Sequence, residues 1–114
     1  MGYTKNHRLS DDLREKLGDF FANTGAVVEE ECSYPQPFGN AWTVVRAENL
    51  LFRFVWDRGE PFVEVRHPAD AAWRALDQEI IRLTGRDTPF VPLTWEQWSQ
   101  LLMMNHKLLQ EAES

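Results

Sequence analysis

The chain has 114 residues, of which 43% are hydrophobic, and this size predicts a single domain over residues 1–114 with a core of its own. Its formal net charge of −6 argues against nucleic acid as a partner, because phosphate binding needs a basic surface. The charge suits a basic protein partner, or it serves solubility alone.

The ends of the chain bear on location and order. No apolar run reaches membrane-spanning length, and residues 1–12 lack the apolar stretch of a secretory signal. We therefore expect a cytoplasmic protein that does not act at a membrane. Polar and charged residues dominate residues 1–7 and the last few residues, so we expect both ends to be flexible.

The first predicted element is a helix that begins near Ser10 and ends before Gly25. Ser10 is a favourable N-cap residue, and Asp11 and Asp12 complement the helix dipole in the first turn. Gly25 supplies a C-terminal stop. Apolar residues at helical spacing define the expected buried face, namely Leu9, Leu13, Leu17, Phe20 and Phe21.

A strand is predicted over residues 26–34, followed by a proline-rich loop over residues 35–40. Consecutive charges suit an edge strand, where they discourage further strand pairing, and this strand carries Glu29, Glu30 and Glu31. The same strand carries Cys32, the only cysteine, which excludes an intramolecular disulfide and a multi-cysteine metal site. No activating residue adjoins Cys32 in sequence, so we interpret it as a packed strand residue of a cytoplasmic protein.

Residues 41–66 predict a three-stranded antiparallel meander with turns at Glu48-Asn49 and at residues 57–60. A one-residue slip of the last strand would place Glu64 opposite Phe52, so the pattern selects one register. This register gives a coherent core face that consists of Val45, Ala47, Leu50, Phe52, Phe54, Trp56, Val63 and Val65.

The opposite face of the meander has a mixed composition, with Trp42, Val44, Arg46, Leu51, Arg53, Val55, Phe62, Glu64 and Arg66. Arg53 and Glu64 fall opposite each other and can form a cross-strand ion pair. Aromatic residues and arginine are enriched at binding hot spots, so the candidate contact residues are Trp42, Arg53, Phe62 and Glu64. The alternative is that a loop or the first helix covers this face.

Two helices are predicted after the meander. The first of them covers residues 68–84, starts at Pro68 because proline suits a first helical turn, and stops at Gly85. Its expected apolar stripe is Ala72, Trp73, Leu76, Ile80 and Leu83. A loop over residues 86–92 follows.

The last helix has the clearest start signal, because Thr94 and Gln97 form a capping box. Leu93 and Trp98 are placed to form a hydrophobic staple across it. Its predicted buried stripe is Trp98, Leu101, Leu102, Leu108 and Leu109, with His106 near the polar edge. The order α-β-β-β-β-α-α predicts an α+β domain with a four-stranded, mainly antiparallel sheet and helices on its core face.

No catalytic constellation is recognisable in the sequence. His7, His67 and His106 lie at no metal-binding spacing, and no nucleophile elbow or phosphate loop is present. We expect a protein without enzymatic activity, cofactor, metal ion or small-molecule substrate. A small enzyme is the least favoured interpretation.

Residues 50–65, LLFRFVWDRGEPFVEV, combine an apolar strand, an Asp-Arg-Gly turn and an alternating apolar strand. This pattern resembles one found in small bacterial immunity proteins of polymorphic or contact-dependent growth-inhibition toxin systems. The resemblance implies a cytoplasmic protein that binds a cognate toxin domain and occludes its active or substrate-binding surface. A nuclease toxin would present a basic surface, for which Glu29, Glu30 and Glu31 are the acidic contact candidates.

Two questions stay open at this level. The glutamates and the sheet residues need not share one face, so the two groups are alternative contact surfaces. The competing function is that of a non-catalytic regulatory or adaptor domain in a cytoplasmic complex.

Overall fold

The computed structural model describes residues 2–4, 6–34, 39–87 and 93–113. Over these residues the fold is α+β, as predicted, but the antiparallel sheet has five strands in chain order instead of four. The elements are α1 Leu9–Lys16, α2 Gly18–Thr24, β1 Val27–Tyr34, β2 Asn40–Ala47, β3 Leu50–Asp57, β4 Glu60–Arg66, β5 Arg74–Ala75, α3 Leu76–Thr84 and α4 Trp95–Glu113.

The meander has the predicted register. Val45 pairs with Phe52, and Phe54 pairs with both Thr43 and Val63. The second turn places Arg58 at φ 53° and Gly59 at φ 81°, a left-handed conformation that glycine adopts without steric cost. Strand β1 lies at the sheet edge, as its glutamates predict.

The predicted core face is also confirmed. Seven of its eight residues are buried, and Trp56 packs against them while partly exposed. Helix residues complete the core, and the ring of Phe20 meets that of Phe52 edge-on at 5.5 Å between centroids. Leu9, Leu13, Leu76, Trp98 and Leu102 belong to the same buried cluster, so the helices lie on this face of the sheet.

The start of the first helix differs from the prediction. The helix begins at Leu9 with Arg8 in the N-cap position, and Ser10 lies inside the first turn, 1% exposed. The carboxylate of Glu31 accepts a hydrogen bond from the Ser10 amide at 2.8 Å, so a side chain of β1 supplies the cap. The helix is then interrupted at Leu17, ahead of Gly18, which is a weak helix former.

The prediction of a helix over residues 68–84 is wrong in its first half. The chain turns at residues 68–69, forms the short strand β5, and becomes helical only at Leu76. Nη1 of Arg66 binds the carbonyl oxygens of Asp70 at 2.6 Å and Pro68 at 3.3 Å, which holds this segment in a non-helical path. Ala72 is consequently exposed, and Gly85 ends α3 as predicted, at φ 70°.

Helix α4 begins with the predicted capping box. The hydroxyl of Thr94 accepts from the Gln97 amide at 3.2 Å, and the side-chain oxygen of Gln97 accepts from the Thr94 amide at 2.8 Å. Leu108, predicted to be buried, is 37% exposed, and His106, predicted near the polar edge, is only 6% exposed. The prediction for these two residues is therefore wrong. His106 lies four residues after Leu102, on the buried stripe, whereas Leu108 lies on its flank.

The N-terminal segment packs in a way that was not predicted. Tyr3 is 4% exposed, donates to Asp12 at 2.9 Å and accepts from Nε1 of Trp95 at 3.1 Å. Burial is the main reason that the pKa of Tyr3 is raised. Of the two predicted loops, residues 35–38 and 88–92 lie outside the described residues.

No helix in the described ranges combines the length and apolar character needed to cross a membrane.

Candidate functional site

The sheet face opposite the helices, called the outer face below, carries the mixed residues predicted from the register. Strand pairing arranges them in cross-strand rows, because directly paired residues of antiparallel strands share a face. One row is apolar and runs across four strands through Cys32, Trp42, Val55 and Phe62. At about 4.8 Å per strand, this apolar row is roughly 14 Å long.

Charged residues flank the apolar row. The neighbouring row contains Glu30, Val44, Arg53 and Glu64, and the row beyond it contains Arg46, Leu51 and Arg66. The predicted ion pair is confirmed, with Nη2 of Arg53 2.7 Å from Oε1 of Glu64. An apolar centre with a charged border is the usual composition of a protein-binding surface.

Trp73 covers part of the outer face, which corrects its predicted place in the core. The guanidinium carbons of Arg53 and Arg66 lie 4.8 Å and 4.9 Å from the ring centroid of Trp73, within cation–π distance. Because residues 67–73 do not form a helix, the ring of Trp73 lies on the outer face. Helical propensity gave no signal of it, because the segment Ala-Asp-Ala-Ala is rich in the best helix former.

A depression of about 320 Å³ lies beside Trp73 on the outer face. Its apolar lining includes Trp42, Val44, Leu51 and Trp73, and its charged lining includes Glu29, Glu30, Arg46, Arg53 and Arg66. The guanidinium of Arg46 donates two hydrogen bonds to the carboxylate of Glu29, at 2.8 Å and 3.2 Å, and so lowers the pKa of that carboxyl.

Two of the three candidate glutamates therefore lie with the sheet candidates. An irregularity in the pairing between Val28 and Glu30 shifts the alternation of β1 by one residue. Glu29 and Glu30 then line the same depression as Trp42 and Arg53. The candidate glutamates and the candidate sheet residues, which the sequence left as alternative contact surfaces, thus form one surface, with the exception of Glu31.

Glu31 points to the helix side of the sheet and has a structural role. Its carboxylate binds Arg8 at 2.6 Å, the Ser10 amide at 2.8 Å and the Thr43 hydroxyl at 3.2 Å. Burial alone would raise its pKa, but the hydrogen bonds from Ser10 and Arg8 outweigh burial and leave the pKa lowered. Glu31 therefore does not belong to the outer face.

Phe62 of the apolar row is 44% exposed, whereas Val44 and Leu51, which belong to the two charged rows, are 6% and 5% exposed. Trp42 is partly exposed. Trp73 thus covers Arg53 and Arg66 in part, whereas Phe62 stays exposed and Trp42 partly exposed.

The three histidines have separate local contacts. Nε2 of His7 lies 3.3 Å from Asp12, Nδ1 of His67 accepts from the Ala69 amide at 3.1 Å, and His106 meets the ring of Phe20 edge-on. Within the part of the chain that the structure describes, no three His, Cys, Asp or Glu side chains come together as a possible metal site.

Comparison with protein-family models gave no match to this chain, and neither a curated protein nor a solved structure matches it. Function is therefore inferred from the composition and geometry of the outer face.

Proposed function

We propose that this protein is an immunity protein, which binds a cognate toxin domain through the outer face and neutralises it by occluding the active or substrate-binding surface. The observation that supports this most is the apolar row that contains Trp42 and ends in Phe62, bordered by charged residues. Exposed aromatic residues with neighbouring arginines are typical of the centre of an interface, where a few side chains supply most of the binding energy.

The charge of the chain supports a basic partner. The net charge is −6, and Glu30 adds an exposed carboxylate to the rim of the outer-face depression. A nuclease toxin needs a basic surface for its phosphate substrate, and an acidic inhibitor can occupy that surface. In this proposal the protein acts by binding, with no catalytic turnover, cofactor or metal ion of its own.

The proposal predicts that a toxin domain is encoded next to this protein, and co-expression with that domain tests it. Wild-type protein should protect the cells, and the Trp42→Ala/Phe62→Ala double variant should protect poorly while remaining folded, as measured by circular dichroism. Leu108→Ala is a matched control, because Leu108 is an exposed apolar residue of α4, away from the outer face.

Two outcomes would replace the proposal. If cells are not protected and no toxin co-purifies, the immunity function is wrong. If a partner that is not a toxin co-purifies, and its capture requires Trp42 and Phe62, the protein is an adaptor or regulatory domain that uses the same surface.

A further inference from the structure

A second cleft, called the edge cleft below, lies where strand β5 ends. Strand β5 has only two residues, and they pair with Glu64 and Val65 of β4. On the side of β4 that faces away from β3, the first half of the strand therefore has no strand beside it within the described residues. The space at this edge forms a cleft of about 300 Å³.

The floor of the edge cleft is apolar and its rim is acidic. Side chains from the sheet and the helix layer supply the floor, namely Val55, Phe62, Val63, Ala75 and Trp98. Three carboxylates stand around it, from Asp57, Glu64 and Asp77. Arg53 neutralises Glu64, whereas Asp57 and Asp77 have no ion-pair partner in the described part of the chain.

We propose that the edge cleft receives a lysine or arginine side chain from the protein partner of the outer face. The aliphatic part of such a side chain would pack on the apolar floor while its cation meets the carboxylates at the rim. The exposed ring of Phe62 adds a surface for a cation–π contact. This inference rests on the proposed function, because it describes how the same partner is anchored.

Two features favour a cationic side chain of the partner as the occupant of the edge cleft, namely the charge of the cleft and its continuity with the outer face. Two unpaired carboxylates disfavour an anionic ligand, and a second copy of this chain carries the same net charge of −6. Phe62 and Glu64 belong both to the outer face and to the edge cleft. A partner seated on the apolar row therefore reaches the cleft without leaving the protein surface.

The test uses the full chain and two small peptides, so it does not depend on the toxin. Acetyl-Gly-Arg-Gly-amide is titrated into ¹⁵N-labelled protein, and its neutral counterpart with citrulline in place of arginine is titrated in parallel. The indole N–H of Trp98 is a useful reporter, because it points to the carbonyl oxygen of Pro61 at 3.4 Å, beside the cleft.

We expect the arginine peptide to shift the signals of Trp98 and of the amides of residues 57, 62, 75 and 77, and the citrulline peptide to shift them much less. The double variant D57N/D77N should bind the arginine peptide roughly tenfold more weakly, because two charge contacts are lost. The control D19N/D87N changes the net charge equally at exposed carboxylates outside the cleft and should bind normally.

The inference is overturned if the arginine peptide causes no shifts at these residues, or if D19N/D87N weakens it as much as D57N/D77N does. Those results would leave the proposed function standing, since protection from the toxin is measured separately. Conversely, cleft binding without any protection from a toxin would contradict the proposed function alone.

Discussion

At the scale of single residues, Glu31 shows how one side chain can decide where a helix begins. Its carboxylate joins β1 to the first turn of α1 through Arg8 and the Ser10 amide. The local sequence predicts Ser10 as the N-cap, because serine is a common N-cap residue. It gives no indication that Glu31, in a strand 21 residues away, accepts the hydrogen bond from the Ser10 amide. Such a contact follows from tertiary packing and leaves no local sequence signal.

The role of Glu31 predicts a pH-dependent effect of Glu31→Gln. The substitution should lower the free energy of unfolding at pH 7 by about 2 kcal/mol, because hydrogen bonds to a charged group are lost. The folded state lowers the pKa of Glu31 below its ordinary value of 4.5, so the carboxylate stabilises the fold above that pH.

The difference between wild type and Glu31→Gln should therefore shrink as the pH falls through the lowered pKa of the folded state. Urea unfolding at pH 7 and at successively lower pH values measures it. Glu30→Gln is the control, since Glu30 is exposed and makes no ion pair with another described residue. A difference that is constant with pH would contradict the structural role of the Glu31 charge.

Phe54 tests the core face. The residue is fully buried and its ring packs against that of Trp95 at 6.1 Å, so Phe54→Ala should cost about 3–5 kcal/mol of unfolding free energy. Phe62→Ala removes the same side chain from the 44% exposed position on the outer face and should cost about 1 kcal/mol or less. Thermal unfolding compares them, and a near-neutral Phe54→Ala would mean that the core lies elsewhere.

At the scale of elements, prediction succeeded where the local pattern and the packing agree. The alternating residues of the meander specify its register, because a slip would bury Glu64 against Phe52. Prediction failed over residues 68–75, where alanines favour a helix but Arg66 holds two carbonyl groups of a turn and β5 adds to the sheet. There, tertiary hydrogen bonds override intrinsic propensity.

The capping box of α4 gives an element-scale prediction. Thr94→Ala removes the hydroxyl that accepts from the Gln97 amide and should destabilise the protein by about 1 kcal/mol. Gln100→Ala, at an exposed position in the interior of the same helix, should change stability little. Chemical denaturation of both variants measures the cap. Equal effects would show that the start of α4 is held by packing alone.

At the scale of the whole molecule, the candidate site was only half predictable. The apolar row follows from the strand register, so Trp42 and Phe62 could be placed on one face from the sequence. The position of Glu29 could not be predicted from the sequence. The pairing irregularity after Val28 changes the side of the sheet on which Glu29 lies, and no residue type at this place indicates a bulge. The position of Trp73 over part of the outer face could not be predicted either, because it depends on the path of residues 68–75, which the sequence wrongly predicts as helical.

If the protein acts by the proposed function, its net charge of −6 predicts electrostatically steered association with a basic toxin domain. Glu30→Lys, on the rim of the outer-face depression, should slow association and make its rate less dependent on salt. Glu15→Lys changes the net charge equally from the exposed surface of α1 and should have a smaller effect. Stopped-flow mixing at several salt concentrations separates them. Equal effects would mean that net charge alone, without the outer face, governs association.

The central claim is the proposal that the apolar row of the outer face binds a toxin domain, and isothermal titration calorimetry with the toxin against which co-expression protects tests it most directly. We predict tight binding by the wild type and a rise in Kd of about 30-fold or more for both Trp42→Ala and Phe62→Ala, as expected for hot-spot residues. Leu108→Ala should leave Kd unchanged. Unchanged Kd values for Trp42→Ala and Phe62→Ala, or no binding by the wild type, would contradict the claim.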